Sequence, residues 1–145
     1  MPRVSAAFFL TGGLFVLMGM IAGMYMGAIQ DFRLAPAHAH LNLLGWVTMA
    51  LYGTFYALTA KTMRPALAWT NYAFSAVGVV FAIPSLAYML LTGSTALAAP
   101  MIAGEVLTVL AMVVFLVSVV RELTRDRSSE HVSVEVADPM RMAAE

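Results

Sequence analysis

The chain contains no cysteine and few charged residues. Without cysteine it can form no disulfide, zinc–thiolate site, iron–sulfur cluster or covalently attached haem. Only 11% of its 145 residues are charged and 61% are hydrophobic, whereas a soluble domain has about 25% charged residues. Basic and acidic residues are equal at 8 each, so the chain lacks the basic surplus of a nucleic-acid-binding protein. This composition predicts a small integral membrane protein and excludes an ordinary soluble enzyme.

Four long apolar stretches cover most of the sequence. They span residues 5–28, 37–60, 66–91 and 101–120, and each is long enough for a helix to cross a hydrocarbon core of ~30 Å. Pro36, Pro65 and Pro100 precede three of them, where the first turn of a helix accepts proline. The first stretch is too long for a signal peptide and has no evident cleavage site, so we expect it to be retained. The fold class predicted is an all-α membrane protein with four transmembrane helices, as one domain over residues 1–121.

The basic residues are distributed asymmetrically between the two ends of the predicted spans. Only Arg33 lies between spans one and two, so the positive-inside rule predicts that both termini are cytoplasmic and that the protein lies in the inner (cytoplasmic) membrane. The tail of residues 122–145 mixes charged, serine and small residues, and we expect it to be disordered and His131 within it to be solvated. The seven basic residues on the predicted cytoplasmic side are Arg3, Lys61, Arg64, Arg121, Arg125, Arg127 and Arg141.

Small and polar residues within the spans predict how the helices pack. Gly19, Gly23 and Gly27 recur every four residues, which favours a helix–helix packing surface. A groove that faces a flat cofactor is the alternative. Pro84 is expected to kink span three. That span is polar near its cytoplasmic end, where interhelical hydrogen bonds are expected from Asn71, Tyr72 and Ser75.

His38 and His40 lie at the predicted outer end of span two. Two residues correspond to about 200° of helix rotation, so a regular helix cannot direct both rings at one metal ion. A histidine near a membrane boundary is commonly a structural hydrogen-bonding residue, but a pair makes ligation an equal alternative. The face of His38 is small and polar and suits the interior; it continues through Asn42, Gly45, Met49, Gly53 and Tyr56. The face of His40 suits lipid, a subunit contact or a porphyrin edge; it continues through Leu44, Val47 and Leu51.

Glu105 is the only acidic residue within a predicted span. It lies near the same outer level as the two histidines, and a carboxylate within the membrane requires a partner. The alternatives are a carboxylate that orients a metal-bound imidazole, a direct ligand, a proton relay or a structural hydrogen bond to a histidine.

Residues 37–46 read AHAHLNLLGW. This motif resembles the second helix of subunit I of the haem–copper oxidase superfamily, which includes cytochrome c oxidases and nitric oxide reductases. In that family a histidine at the outer end of the helix binds the low-spin haem, and the similarity extends over about residues 10–80. The resemblance implies non-covalent haem b, with His38 or His40 as the axial ligand. Asn42, Gly45 and Met49 would belong to the same cofactor site.

The chain also departs from this family. The family's subunit has about twelve helices, arranged as three arcs of four, and this sequence has four predicted spans. It has no counterpart of the copper-site histidines or of the second haem ligand, so a complete oxidase is not expected. A closed homotrimer would mimic the threefold arrangement and could supply the missing ligand from a neighbouring chain.

The function predicted is therefore that of a b-type haem protein, which carries electrons or senses NO or O2 rather than reducing oxygen. A respiratory electron donor or acceptor would be its partner, together with the lipid bilayer. Two alternatives remain open. One is a copper or zinc site built from the histidines and Glu105, and the other is a structural or assembly subunit of a respiratory complex. The spans contain no nucleophile–base pair, phosphate loop or paired carboxylates.

Overall fold

Four long helices form the protein in the computed structural model, which describes residues 1–125. They are α1 (Arg3–Ile29), α2 (Ala35–Leu58), α3 (Pro65–Thr92) and α4 (Ala98–Leu123). Each helix is long and apolar enough to cross a membrane, so the predicted all-helical class with four spans is confirmed. The last helix ends two residues beyond the predicted domain boundary. His131 and most of the predicted tail lie outside the described residues.

The helix ends follow from local sequence. Helix α1 is followed by Gln30, which takes a left-handed conformation with φ of 55°, and α3 is followed by Gly93 with φ of 69°. Pro65 opens α3 in its first turn, as expected, and α3 continues through Pro84 as one helix. In the loop after α1, Arg33 pairs with Asp31 at 2.6 Å. The hydrogen bond from Arg33 lowers the pKa of the Asp31 carboxyl below its ordinary value.

Helix α2 is not a regular α-helix throughout. Residues Ala35–Asn42 and Met49–Leu58 are α-helical, but Leu43–Thr48 between them is a π-helix. In a π-helix each hydrogen bond spans five residues rather than four, so this segment contains an extra residue for the same rotation. Such segments in membrane and soluble helices are frequently found at functional sites. The π-helix begins inside the motif of residues 37–46 and ends two residues after it.

Glycines allow the helices to approach closely in two antiparallel pairs. A Cβ atom on Gly45 would lie 3.0 Å from Cβ of Phe15, and one on Gly53 would lie 3.0 Å from Cβ of Phe8, which brings α1 and α2 together. Helices α3 and α4 meet at Gly78 and Gly104, where a Cβ on Gly78 would lie 3.0 Å from the Gly104 carbonyl oxygen. Small residues serve this purpose in membranes because there is little hydrophobic force between helices in lipid.

The core contains aromatic side chains and a hydrogen-bonded chain of polar groups. Phe8 is fully buried, and its ring centroid lies 5.9 Å from those of Tyr52 and Tyr56. Asn71 Nδ2 donates to the Tyr56 hydroxyl at 3.1 Å, and that hydroxyl lies 3.1 Å from Ser118 Oγ of α4. The interhelical hydrogen bonds predicted for this part of α3 are thus confirmed for Asn71. They are also confirmed for Tyr72, whose hydroxyl lies 2.9 Å from Thr11 Oγ1 of α1, while Ser75 donates to Asn71 within the helix.

Candidate site around His38 and His40

The ring of His38 packs against α1. A Cβ atom on Gly23 would lie 3.0 Å from Cε1 of His38, so a larger residue at position 23 would press on the imidazole. His38 Nε2 lies 3.1 Å from Asn42 Nδ2 one turn further along α2. An amide nitrogen only donates, so Nε2 accepts this bond and the proton of the neutral ring is on Nδ1. Within residues 1–125, Nδ1 is buried and has no hydrogen-bond partner.

Asn42 occupies the space that Gly19 leaves open. A Cβ atom at position 19 would overlap Oδ1 of Asn42. By contrast, a Cβ at Gly27 would meet nothing within 4 Å. The packing interpretation of the glycine series is therefore confirmed for Gly19 and Gly23, which contact the side chains of Asn42 and His38 on α2. It does not extend to Gly27. We call this contact of Gly19 and Gly23 with His38 and Asn42 the α1–α2 seam.

His40 points to the other side of α2 and is exposed. Its Nδ1 lies 2.7 Å from the carbonyl oxygen of Pro36. A carbonyl oxygen only accepts, so Nδ1 carries the proton and donates. This bond fixes the tautomer of the neutral ring and leaves the lone pair on Nε2, as in histidines that bind metals through Nε2. His40 lies four residues after Pro36, and in the first turns of a helix this spacing brings the imidazole close to the Pro36 carbonyl oxygen.

The two faces predicted for α2 are largely as expected. Gly45, Met49, Gly53 and Tyr56 are all buried on the side of His38. On the side of His40, Val47 and Leu51 are 44% and 63% exposed. The prediction is wrong for Leu44, which is half-buried against the cluster that contains Val79 and Ile83. Leu43, 59% exposed, is the exposed leucine of this turn and is the first residue of the π-helix.

The predicted cofactor residues consequently fall into two groups. His38 and Asn42 form a bonded pair in the α1–α2 seam, and Gly45 and Met49 follow on the same buried side of α2. His40 stands apart from them, beside the exposed apolar strip of Leu43, Val47 and Leu51. A regular helix predicts this separation of the histidines, but it does not predict which ring has an available nitrogen.

Glu105 is exposed on α4. Among residues 1–125 its carboxylate has no hydrogen bond or ion pair, and neither histidine contacts it through one; its backbone carbonyl accepts a bond from Thr108 Oγ1 at 2.7 Å. In the same part of the chain no three histidine, aspartate or glutamate side chains are grouped to hold a metal ion. The structure thus does not bring Glu105 together with His38 or His40 within one chain.

Comparisons with known proteins found no matching family model, no matching curated protein and no matching solved structure. The relationship to the oxidase helix stays a prediction that rests on the motif of residues 37–46.

Proposed function

We propose that this chain is an integral membrane protein that binds haem b with His40 Nε2 as an axial ligand. The observation that carries the proposal is the 2.7 Å contact between His40 Nδ1 and the Pro36 carbonyl oxygen. A carbonyl acceptor at Nδ1 orients the imidazole and makes Nε2 a better ligand. When bound, haem supplies one-electron transfer or gas binding at its iron.

His40 is favoured over His38 because of what surrounds each ring. His38 Nε2 is engaged by Asn42, and its Nδ1 is buried within the α1–α2 seam. Ligation by His38 would require this pair to separate and the ring to leave Gly23. His40 requires no such rearrangement, since its ring is exposed and its Nε2 is free of the Pro36 bond.

The surface beside His40 suits a porphyrin. Leu43, Val47 and Leu51 present exposed apolar side chains in the two to three turns that follow, and an apolar macrocycle would cover them as lipid otherwise does. The surface is also open, so the haem would lie between this helix and another protein surface. We therefore retain the homotrimer as part of the proposal, with a neighbouring copy supplying the second ligand.

The test is the absorption spectrum of the purified full chain after haem-replete expression, recorded oxidised and reduced. We expect a Soret band that His40→Ala abolishes and that His38→Ala retains. His38→Ala is the matched control, since it also removes an imidazole, from a position two residues before His40 in the same turn. Iron content per chain and the mass of the coloured species by light scattering give the stoichiometry, which should correspond to a trimer.

Four results would contradict the proposal. A colourless protein would exclude haem, and metal analysis of that sample would then test the copper or zinc alternative. Loss of the band in His38→Ala with retention in His40→Ala would assign the wrong histidine. A coloured monomer would exclude ligation from a neighbouring copy. Co-purification with a respiratory complex, without any cofactor in this chain, would favour the structural-subunit alternative.

A further inference from the structure

A cavity of about 190 Å³ lies at the basic end of the bundle, where the loop after α2 meets the end of α4. Three arginines line it: Arg64 from the start of α3, and Arg121 and Arg125 from the end of α4. Glu122 is the one acidic side chain among the lining residues. Three arginines and one glutamate leave two net positive charges, so the cavity favours an anion.

The acidic side chain in this cavity is held in place by its neighbours. Thr62 Oγ1 donates to Glu122 Oε2 at 2.7 Å, and Arg125 lies 3.6 Å from Glu122 Oε1. Arg64 and Arg121 have no ion-pair partner among residues 1–125. Arg64 also immediately precedes the first turn of α3, where the helix dipole adds positive potential.

A second cavity of about 280 Å³ adjoins the first along α4. The two share Phe55, Glu122 and Arg125 among their lining residues. The remaining lining of the second cavity is apolar, from Val119 and Leu123. Because Glu122 and Arg125 also line the second cavity, its apolar part is the side formed by Phe55, Val119 and Leu123. A positively charged cavity bordered by these apolar side chains fits an amphiphile, with its anionic group at the arginines and its hydrocarbon along the apolar side.

We propose that these two cavities form a binding site for one anionic phospholipid, with its phosphate between Arg64 and Arg121. Arginine forks match phosphate oxygens in pairs, and basic pockets at the cytoplasmic ends of membrane helices attract anionic headgroups. The apolar side chains of Phe55, Val119 and Leu123 beside the arginines favour a lipid over a free phosphate ion. This site is at the opposite end of the bundle from His40 and is independent of haem.

Native mass spectrometry of the full-length protein in detergent tests the proposal by titration with a phosphatidylglycerol or a phosphatidylcholine of the same acyl chains. We expect one phosphatidylglycerol per chain and weaker phosphatidylcholine binding. Each basic residue near a membrane surface contributes about fivefold in affinity, so Arg64→Gln with Arg121→Gln should weaken phosphatidylglycerol binding by about 25-fold. Lys61→Gln is the matched control, because Lys61 lies in the same loop but does not line either cavity.

A second variant is expected to strengthen binding, a result that misfolding would not produce. Glu122→Gln removes the negative charge but keeps an oxygen for Thr62, so it should strengthen phosphatidylglycerol binding by about fivefold. Equal weakening in Lys61→Gln and in the double variant would overturn the site in favour of diffuse surface charge. Equal affinity for both lipids would overturn it as well. A third arm adds inorganic phosphate alone, and displacement of the lipid at comparable concentrations would show a free-phosphate site instead.

Discussion

At the scale of single residues, the two histidines differ in their environments although they are neighbours on one turn. His38 is held between Gly23 and Asn42, whereas His40 bonds to the carbonyl of its own helix at Pro36. The rotation of about 200° between them follows from helix geometry alone. Which nitrogen is available as a ligand follows from the partner atoms, which are Asn42 Nδ2 for His38 and the Pro36 carbonyl oxygen for His40, both on α2.

The α1–α2 seam leads to a prediction about glycine. Gly19→Ala places a methyl group where Asn42 Oδ1 lies, so it should lower the free energy of unfolding by about 1–3 kcal/mol, the usual result of overpacking. Gly27→Ala is the matched control, because a Cβ there meets nothing and alanine favours helix by up to about 1 kcal/mol. Unfolding in mixed micelles, followed by circular dichroism, measures both. Equal stability of the two variants would contradict the close contact of Gly19 with Asn42.

At the scale of elements, the π-helix of Leu43–Thr48 sets the relation between the two halves of α2. The first half carries His38 and Asn42 against α1, and the second half carries Tyr52 and Tyr56 into the aromatic core. The extra residue of the π-helix lies between the two halves, and with it in place both halves make these contacts. No residue in an apolar run of this kind signals a π-helix, since Gly45 and the leucines around it are equally common in regular spans.

Deletion of a single residue tests this role of the π-helix. Removing Val47 should convert the segment toward a regular α-helix and keep both halves in register, with little loss of stability. Removing Leu51 from the regular part should rotate one half by about 100° relative to the other. That rotation would withdraw core side chains, and we expect it to lower the free energy of unfolding by more than ~3 kcal/mol.

Val47 and Leu51 are both exposed, at 44% and 63%, so neither deletion removes a core side chain directly. Thermal unfolding in detergent, monitored by circular dichroism, compares the two variants. A Val47 deletion as destabilising as the Leu51 deletion would show that the π-helix does not set the register of α2.

At the scale of the whole molecule, charge is separated between the two ends of the bundle. The one basic residue at the end opposite the other described basic residues is Arg33, which is paired with Asp31 at 2.6 Å. Because Arg33 lowers the pKa of Asp31, the pair stays ionised and its charges offset each other. Five of the six described basic residues lie at the other end, and the positive-inside rule, which counts Lys and Arg, predicts from them that both termini are inside.

The absence of cysteine makes this orientation directly measurable. We expect a membrane-impermeant maleimide to label Ser94→Cys in intact cells and to label Lys61→Cys only after the membrane is permeabilised. Both positions lie in loops at opposite ends of the helices, and no native thiol contributes background. The reverse pattern would place both termini outside and would move the His40 site to the cytoplasmic side.

The four spans were predictable because hydrophobic length and proline position are local properties. The residues of the α1–α2 seam were partly predictable for the same reason, since Gly19 and Gly23 repeat at helical spacing. The packing of His38 and Asn42 against Gly23 and Gly19 of α1, and the isolation of Glu105 from both histidines within the chain, were not predictable. They depend on which helix packs against which, and in lipid that choice is made by close packing rather than by hydrophobicity.

The sequence by itself determined the membrane environment, the number of helices and the opposite directions of the two histidines, because these follow from composition and helix periodicity. Only the tertiary structure decided that His38 packs against α1, that His40 keeps an exposed Nε2, and that Arg64 lines one cavity with Arg121 and Arg125, which lie far from it in the sequence. Those features depend on contacts between side chains far apart in the chain and on one irregular turn in α2.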